Sequence, residues 1–188
     1  MIDIEPVVFP TDHPAYAMAQ SLVSLYADRS GELAELPAIC LLARSPVSPI
    51  SKMIWSHLPS LAQRGCHVRV IFHKRQHQGS ARRAAQIYKD AFGDRVFTDI
   101  RLADYREVGM MYEELQMGPT IAWSGGRMGD TAFDVSAGDV SDSMTMGQAQ
   151  MFLHSFDKIW SASESFAEAV GMKGNGRSSV FKSLRIAG

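Results

Sequence analysis

The chain has little cysteine, no long apolar run and almost no excess charge. Only two of its 188 residues are cysteines. Cys40 and Cys66 lie in apolar stretches and lack the paired spacing of a zinc site or of a secreted disulfide framework, so a reducing, cytoplasmic setting is expected. The longest uncharged stretch of any hydrophobicity is broken by Ser, Gly, Thr and Gln, and the opening MIDIEPVVFPTD has no basic region ahead of an apolar one. Neither a membrane span nor a signal peptide is therefore expected. With 46% hydrophobic residues, 21% charged residues and 8 prolines, disorder of the whole chain is excluded. At about 100 to 200 residues per domain, the length fits one domain. We place it at residues 1–170, with a basic and flexible tail over 171–188.

The net charge is -1, which argues against a uniformly basic nucleic-acid binder. Its distribution is uneven, however. Residues 64–95 hold eight Lys or Arg against two acids, whereas residues 96–145 hold three against nine. The tail adds four further cations. Near-neutrality is thus a cancellation between segments. It leaves room for an anion-binding face or for two complementary faces of a self-associating protein.

Along the chain, Ala15, Met18, Ala19, Leu22, Leu25 and Tyr26 recur at helical steps, and Gly31 offers a stop. Ile39-Cys40-Leu41-Leu42-Ala43 is a short continuous apolar run, the pattern of a central strand covered on both faces. Ile50, Met53, Ile54, Leu58 and Leu61 predict a helix ending before Gly65, with Pro59 inside it expected to kink or split it. Val68-Arg69-Val70-Ile71-Phe72 predicts a second strand. Gly79-Ser80 reads as the cap of a helix carrying Ala81, Ala84, Ala85, Tyr88 and Phe92, and residues 96–102 as a third strand. Residues 110–117 and 120–123 flank Gly118-Pro119 and predict a hairpin. Ser124-Gly125-Gly126 reads as a tight turn that opens a long loop to residue 145. A last helix runs from Ala149 through Phe156 and Trp160 to Val170. The order predicts an α/β fold, with a mixed, mainly parallel sheet flanked by helices.

Several local strings, in this order, resemble one half of a phospholipase D superfamily protein. Ser48-Pro49-Ile50 followed by a helix and then Arg64-Gly65-Cys66-His67-Val68-Arg69-Val70-Ile71 is similar to that family's helix and "rGV-V-vi" strand. The hairpin over residues 118–123 with Ser124-Gly125-Gly126-Arg127 resembles its strand and "G-S-x-N" turn. Phe156-Asp157-Lys158-Ile159-Trp160-Ser161-Ala162-Ser163 is similar to the helix that closes such a half. The resemblance spans roughly residues 14–166. It implies the scaffold and, because single halves in the family commonly pair with a copy of themselves, a homodimer. The family's chemistry rests on H-x-K followed four residues later by Asp, and here the pattern is degenerate. Ungapped alignment puts Met111 at the His position, Glu113 at the Lys position and Gly118 at the Asp position, and the turn has Gly126 for Ser and Met128 for Asn. Methionine offers no nucleophilic nitrogen, and a glutamate repels the phosphate that a lysine would hold. No histidine lies between His77 and His154 to restore the motif.

What remains for chemistry is the segment His73-Lys74-Arg75-Gln76-His77-Gln78-Gly79-Ser80-Ala81-Arg82-Arg83. It runs from the end of a strand into a helix start, where open sheets bind ligands and helix dipoles attract anions. His73, Lys74, Arg75, His77, Arg82 and Arg83 are therefore the candidate anion-binding residues, weighed against a solvated basic loop. His73 and His77 have no acidic or Cys partner nearby in sequence, so no metal is expected. No Walker pair or G-x-S-x-G is present, and no cofactor is expected. Asp130, Asp134, Asp139 and Asp142 do not match a calcium loop and read as caps and turns. The resulting expectation is a catalytically inactive binding or regulatory module for an anionic ligand, nucleic acid foremost. The alternatives are a phosphodiesterase or nuclease built from His73, His77 and Glu113 or Glu114, and a structural partner that docks through the acidic loop.

Overall fold

The computed structural model describes residues 21, 23–24, 38–74, 78–109, 111–118, 121–128, 139–141 and 146–172. Of the helix predicted around residues 15–26, only Ser21, Val23 and Ser24 are described, and all three are helical; the rest of it and the tail from residue 173 lie outside the described residues.

Among the described residues, seven strands form one sheet in the order β6-β5-β4-β1-β2-β3-β7. These are β1 (Ala38–Ala43), β2 (His67–His73), β3 (Ile100–Ala103), β4 (Tyr112–Met117), β5 (Ile121–Arg127), β6 (Asp139–Ser141) and β7 (Glu164–Ser165). The chain is α/β as predicted, with β1 at the centre of the sheet. The expectation of a mainly parallel sheet is corrected. Among the described strands, the β1–β2 and β2–β3 pairings are parallel, while β1–β4, β3–β7, β4–β5 and β5–β6 are antiparallel. Helical crossovers give β1–β2 and β2–β3 their parallel pairing, whereas β4 enters beside β1 already antiparallel and a hairpin then joins it to β5.

Both faces are covered. Ile39, Leu41, Val68, Val70, Phe72, Ile100, Leu115 and Met117 point into the larger core. They meet α1 (Pro49–Gln63) and α2 (Gln78–Phe92), together with α3 (Val96–Asp99) and α6 (Phe166–Ala169). On the other face, Cys40, Leu42, Ile71 and Ala103 pack with Val108 of α4 (Tyr105–Val108) and with Phe156 and Ile159 of α5 (Met146–Ala162). Two guanidinium groups also hold α5 down: Arg69 lies 5.1 Å from the Phe156 ring centre and Arg101 lies 4.9 Å from that of Trp160.

Helix α1 starts where Ser48 caps it: its Oγ accepts from the Ser51 N–H, and Pro49 fills the first helical turn, where a missing donor is harmless. It runs as one helix through Pro59, which is exposed, so the expected split does not occur. It ends in the two crossed bonds of a Schellman turn, Cys66 N to Leu61 O and Gly65 N to Ala62 O, with Gly65 at φ 72°.

Three further predictions are corrected. Gly79-Ser80 lies inside the first turn of α2 and not before it. Residues 96–99, predicted as strand, form the helical turn α3, because the Asp99 carboxylate gathers Tyr88 Oη and Arg95 Nε at 2.9 Å each and Thr98 Oγ1 at 3.0 Å. The last predicted helix stops at Ala162, where Ser163 turns back and its Oγ donates to Ile159 O; β7 and α6 follow.

The expected turn at Ser124-Gly125-Gly126 is in fact continuous strand. Tyr112 pairs with Arg127 and Glu114 with Ser124, so β5 carries one extra residue at its two glycines, a β-bulge. The predicted loop over 124–145 is further interrupted by β6. The indole of Trp123, 1% exposed, folds along the strand over Gly125. A Cβ at Gly125 would lie 2.2 Å from one ring carbon and under 3.0 Å from two more.

Two outcomes follow. Gly125→Ala should cost about 1–3 kcal/mol in urea unfolding, with changed Trp emission, because overpacking must displace the indole; native-like stability would show that the ring has room. Burial alone would raise the Asp99 carboxyl, but the His67 imidazole 3.3 Å away and hydrogen bonds from Tyr88 and Thr98 outweigh it and hold the group below its ordinary value. Its stabilisation is therefore fully present above the ordinary carboxylate range and is lost as the pH falls through the depressed value. Asp99→Asn should flatten that acid limb in pH-dependent unfolding.

Candidate functional site

The carboxyl ends of the parallel strands are where a ligand crevice is expected, at the point where strand order reverses. In this sheet that point lies between β1 and β4, because β2 and β3 extend to one side of β1 and the hairpin to the other. Arg44, immediately after β1, and Glu113, near the start of β4, meet there. The Arg44 N–H donates to Glu113 Oε1 at 3.0 Å, and Arg44 Nη2 to Oε2 at 3.3 Å. Arg44 is 6% exposed and Glu113 is 0% exposed. Each charge is tolerated only because the other is present. The loop behind them is tied down by Ser51 Oγ to Ser45 O at 2.6 Å and Trp55 Nε1 to Pro46 O at 2.9 Å.

The degenerate-motif positions gather only in part. Met128 N donates to Met111 O at 2.7 Å, and both side chains belong to the smaller apolar core, Met128 buried and Met111 half-buried against it. Glu113 follows two residues after Met111, on the opposite face from Glu114, which lies across from Leu42. Gly126 stands in the β5 bulge. Gly118, at φ 61°, turns the hairpin at the far end of β4. Sequence reasoning does not single out Arg44; its signal is an arginine ending an apolar run directly before a Ser-Pro turn.

The basic segment is likewise divided. His73 ends β2 and is buried, and Lys74 N bonds Ala103 O. Lys74 itself is exposed, and its Nζ lies 2.9 Å from Glu164 Oε1. Arg82 is exposed and donates through Nη2 to Val170 O at 3.2 Å. Arg83, also exposed, stands beside it on α2. Arg75 and His77 lie outside the described residues. Elsewhere in residues 64–95, Arg69 pairs with Asp157 and Arg95 with Asp99, both acids outside that segment, while Lys89 pairs with Asp94 inside it. Part of the excess seen along the sequence, at Arg69, Lys74 and Arg95, is therefore balanced in space.

Among the described residues, no group of three His, Cys, Asp or Glu side chains is placed to hold a metal ion. No helix among them is long and apolar enough to cross a membrane. No protein-family model matches the chain, and no curated protein matches its sequence.

Breaking the buried pair from one side should be costly. Arg44→Met is expected to lose about 3–5 kcal/mol in urea unfolding, since it strands the Glu113 carboxylate. Adding Glu113→Gln, which removes the charge and keeps an acceptor for the Arg44 N–H, should recover at least half of that loss. Additive losses would show that the two groups do not depend on each other.

Proposed function

We propose that this chain is a phospholipase D-like half without phosphodiesterase chemistry, acting in the cytoplasm as a binding or regulatory module for a phosphate-bearing ligand, nucleic acid foremost, as a homodimer. The observation that carries the reading is the content of the crevice. Met111 and Met128 are packed among apolar side chains, and Glu113 is held by Arg44. Neither a nucleophilic nitrogen nor a lysine stands where the resemblance implies one. The helix and strand order, the hairpin and the closing helix α5 support the scaffold part of the proposal.

Support for the ligand class comes from Lys74, just beyond the carboxyl end of β2, and from Arg82 and Arg83 in the first two turns of α2. Their side of the sheet is the one on which open α/β folds bind anions. The alternative, a nuclease built from His73, His77 and Glu113 or Glu114, draws less support, because Glu113 and Glu114 project to opposite faces and Glu113 already holds Arg44. The alternative of a structural partner rests on the acidic stretch 124–145, most of which lies outside the described residues.

Nucleic-acid binding by the native chain should weaken with salt, and Lys74→Ala/Arg75→Ala/Arg83→Ala should make the log–log slope shallower by about 0.9 for each phosphate no longer neutralised. Superimposable curves would remove the basic segment from the reading. A generic phosphodiester reporter should remain uncleaved; turnover abolished by His73→Ala would favour the nuclease instead. Light scattering should give twice the chain mass over a range of concentrations.

A further inference from the structure

Gln116 is 1% exposed, and neither its Oε1 nor its Nε2 has a hydrogen-bond partner. Burying an amide in that state costs about 1–3 kcal/mol for each unsatisfied group, and roughly nine in ten buried polar groups avoid it. The strand cannot rotate to relieve the cost. Leu115 and Met117, on either side of Gln116, are locked in the larger core, so alternation turns Gln116 to the other face, the one that carries α5. The flanking register positions hold small residues, Cys40 on β1 and Ala122 on β5. The Cys40 thiol already accepts from Arg69 Nη2.

Glu114, two residues earlier on the same face, is half-buried, and Ser124 lies opposite it on β5. Among the described residues, neither side chain is engaged in a hydrogen bond. Burial pushes the Glu114 carboxyl above its ordinary value. On β2, Arg69, in register with Cys40, is committed to Asp157 at 2.8 Å. Among the described side chains, the row therefore offers directed donors and acceptors without a spare positive charge, which suits an uncharged group better than a phosphate.

We propose that the α5-facing side of β4 and β5 is a recognition site for a planar, uncharged group carrying a hydrogen-bond donor beside an acceptor, read by the Gln116 carboxamide with Glu114 and Ser124 alongside. A primary carboxamide or the amino edge of an adenine base has this chemistry, since either pairs with a glutamine amide through two parallel bonds. Lys74 and Arg83 take no part in the site, so it stands or falls separately from the nucleic-acid reading above.

The test follows the Gln116 side-chain NH2 signals by NMR in the full chain, assigned by their loss in Gln116→Met. Nicotinamide and adenosine are titrated separately to distinguish the two sources, and purine riboside, which lacks the amino donor, serves as the control. A saturable shift with nicotinamide or adenosine and none with the control is the expected result. Gln116→Met conserves volume and removes the unsatisfied groups, so it should match or exceed native thermal stability while binding the active compound about tenfold more weakly or worse. The proposal is overturned if neither compound shifts the signals, if the control shifts them equally, if only an ordered water is found on the amide, or if Gln116→Met binds undiminished. It is equally overturned if that variant is destabilised, because the amide would then be satisfied within the fold.

Discussion

The pairing of β4 with the central strand β1 is the constraint on which the rest of the molecule depends. Setting Leu115 against Leu41 and Met117 against Ile39 puts both into the larger core, and it puts Glu113 beside Arg44 and Gln116 beside Cys40. A slip of one residue would send Glu114 and Gln116 into that core and expose two apolar side chains to the other face. The bulge in β5 is the local adjustment that this register requires. Gly125 and Gly126 take up the extra residue, and the space over Gly125 is what lets the Trp123 indole lie flat and buried. Three features that look separate along the chain, an Arg after an apolar run, a Glu in a hairpin and a Gly-Gly pair, are consequences of one alignment of strands.

Charge obeys the same geometry. The basic segment and the acids that follow or lie further along the chain meet across the fold, with Arg69 against Asp157 on α5 and Lys74 against Glu164 on β7. Exposed pairs of this kind contribute about 0–1 kcal/mol each, so their effect lies in arranging the surface more than in stabilising it. Arg69 does more, because it also stacks on Phe156 and bonds the Cys40 thiol. That thiol is raised by its burial, with Arg69 pulling it back down only in part. The buried Arg44–Glu113 pair is of a different kind: its two charges have left water together and hold the end of β1 to the start of β4.

Elements built from strong local pattern are legible in the amino-acid order itself. The run 39–43 has apolar residues at every position and is a strand with both faces covered; the helical spacing from Ile50 to Leu61, stopped by a glycine, is α1 with its Schellman turn. The helical turn at 96–99 is not legible in this way, because β-branched Val96 and Thr98 favour a strand locally, while the choice is made by Tyr88 and Arg95 reaching the Asp99 carboxylate. The two edge strands are hidden by their length, three residues in β6 and two in β7, too short to show alternation. Ser124-Gly125-Gly126 carries turn chemistry, and only the partner strand converts it into a bulge.

Local pattern thus settled the α/β class, the central place of β1 and the hairpin, since each depends on residues close together in sequence. The tertiary structure settled the predominance of antiparallel pairings, the joining of Arg44 to Glu113, the neutralisation of part of the basic segment and the burial of Gln116. These are properties of residues tens of positions apart, and neither periodicity nor composition encodes which side chain faces which once the strands have paired.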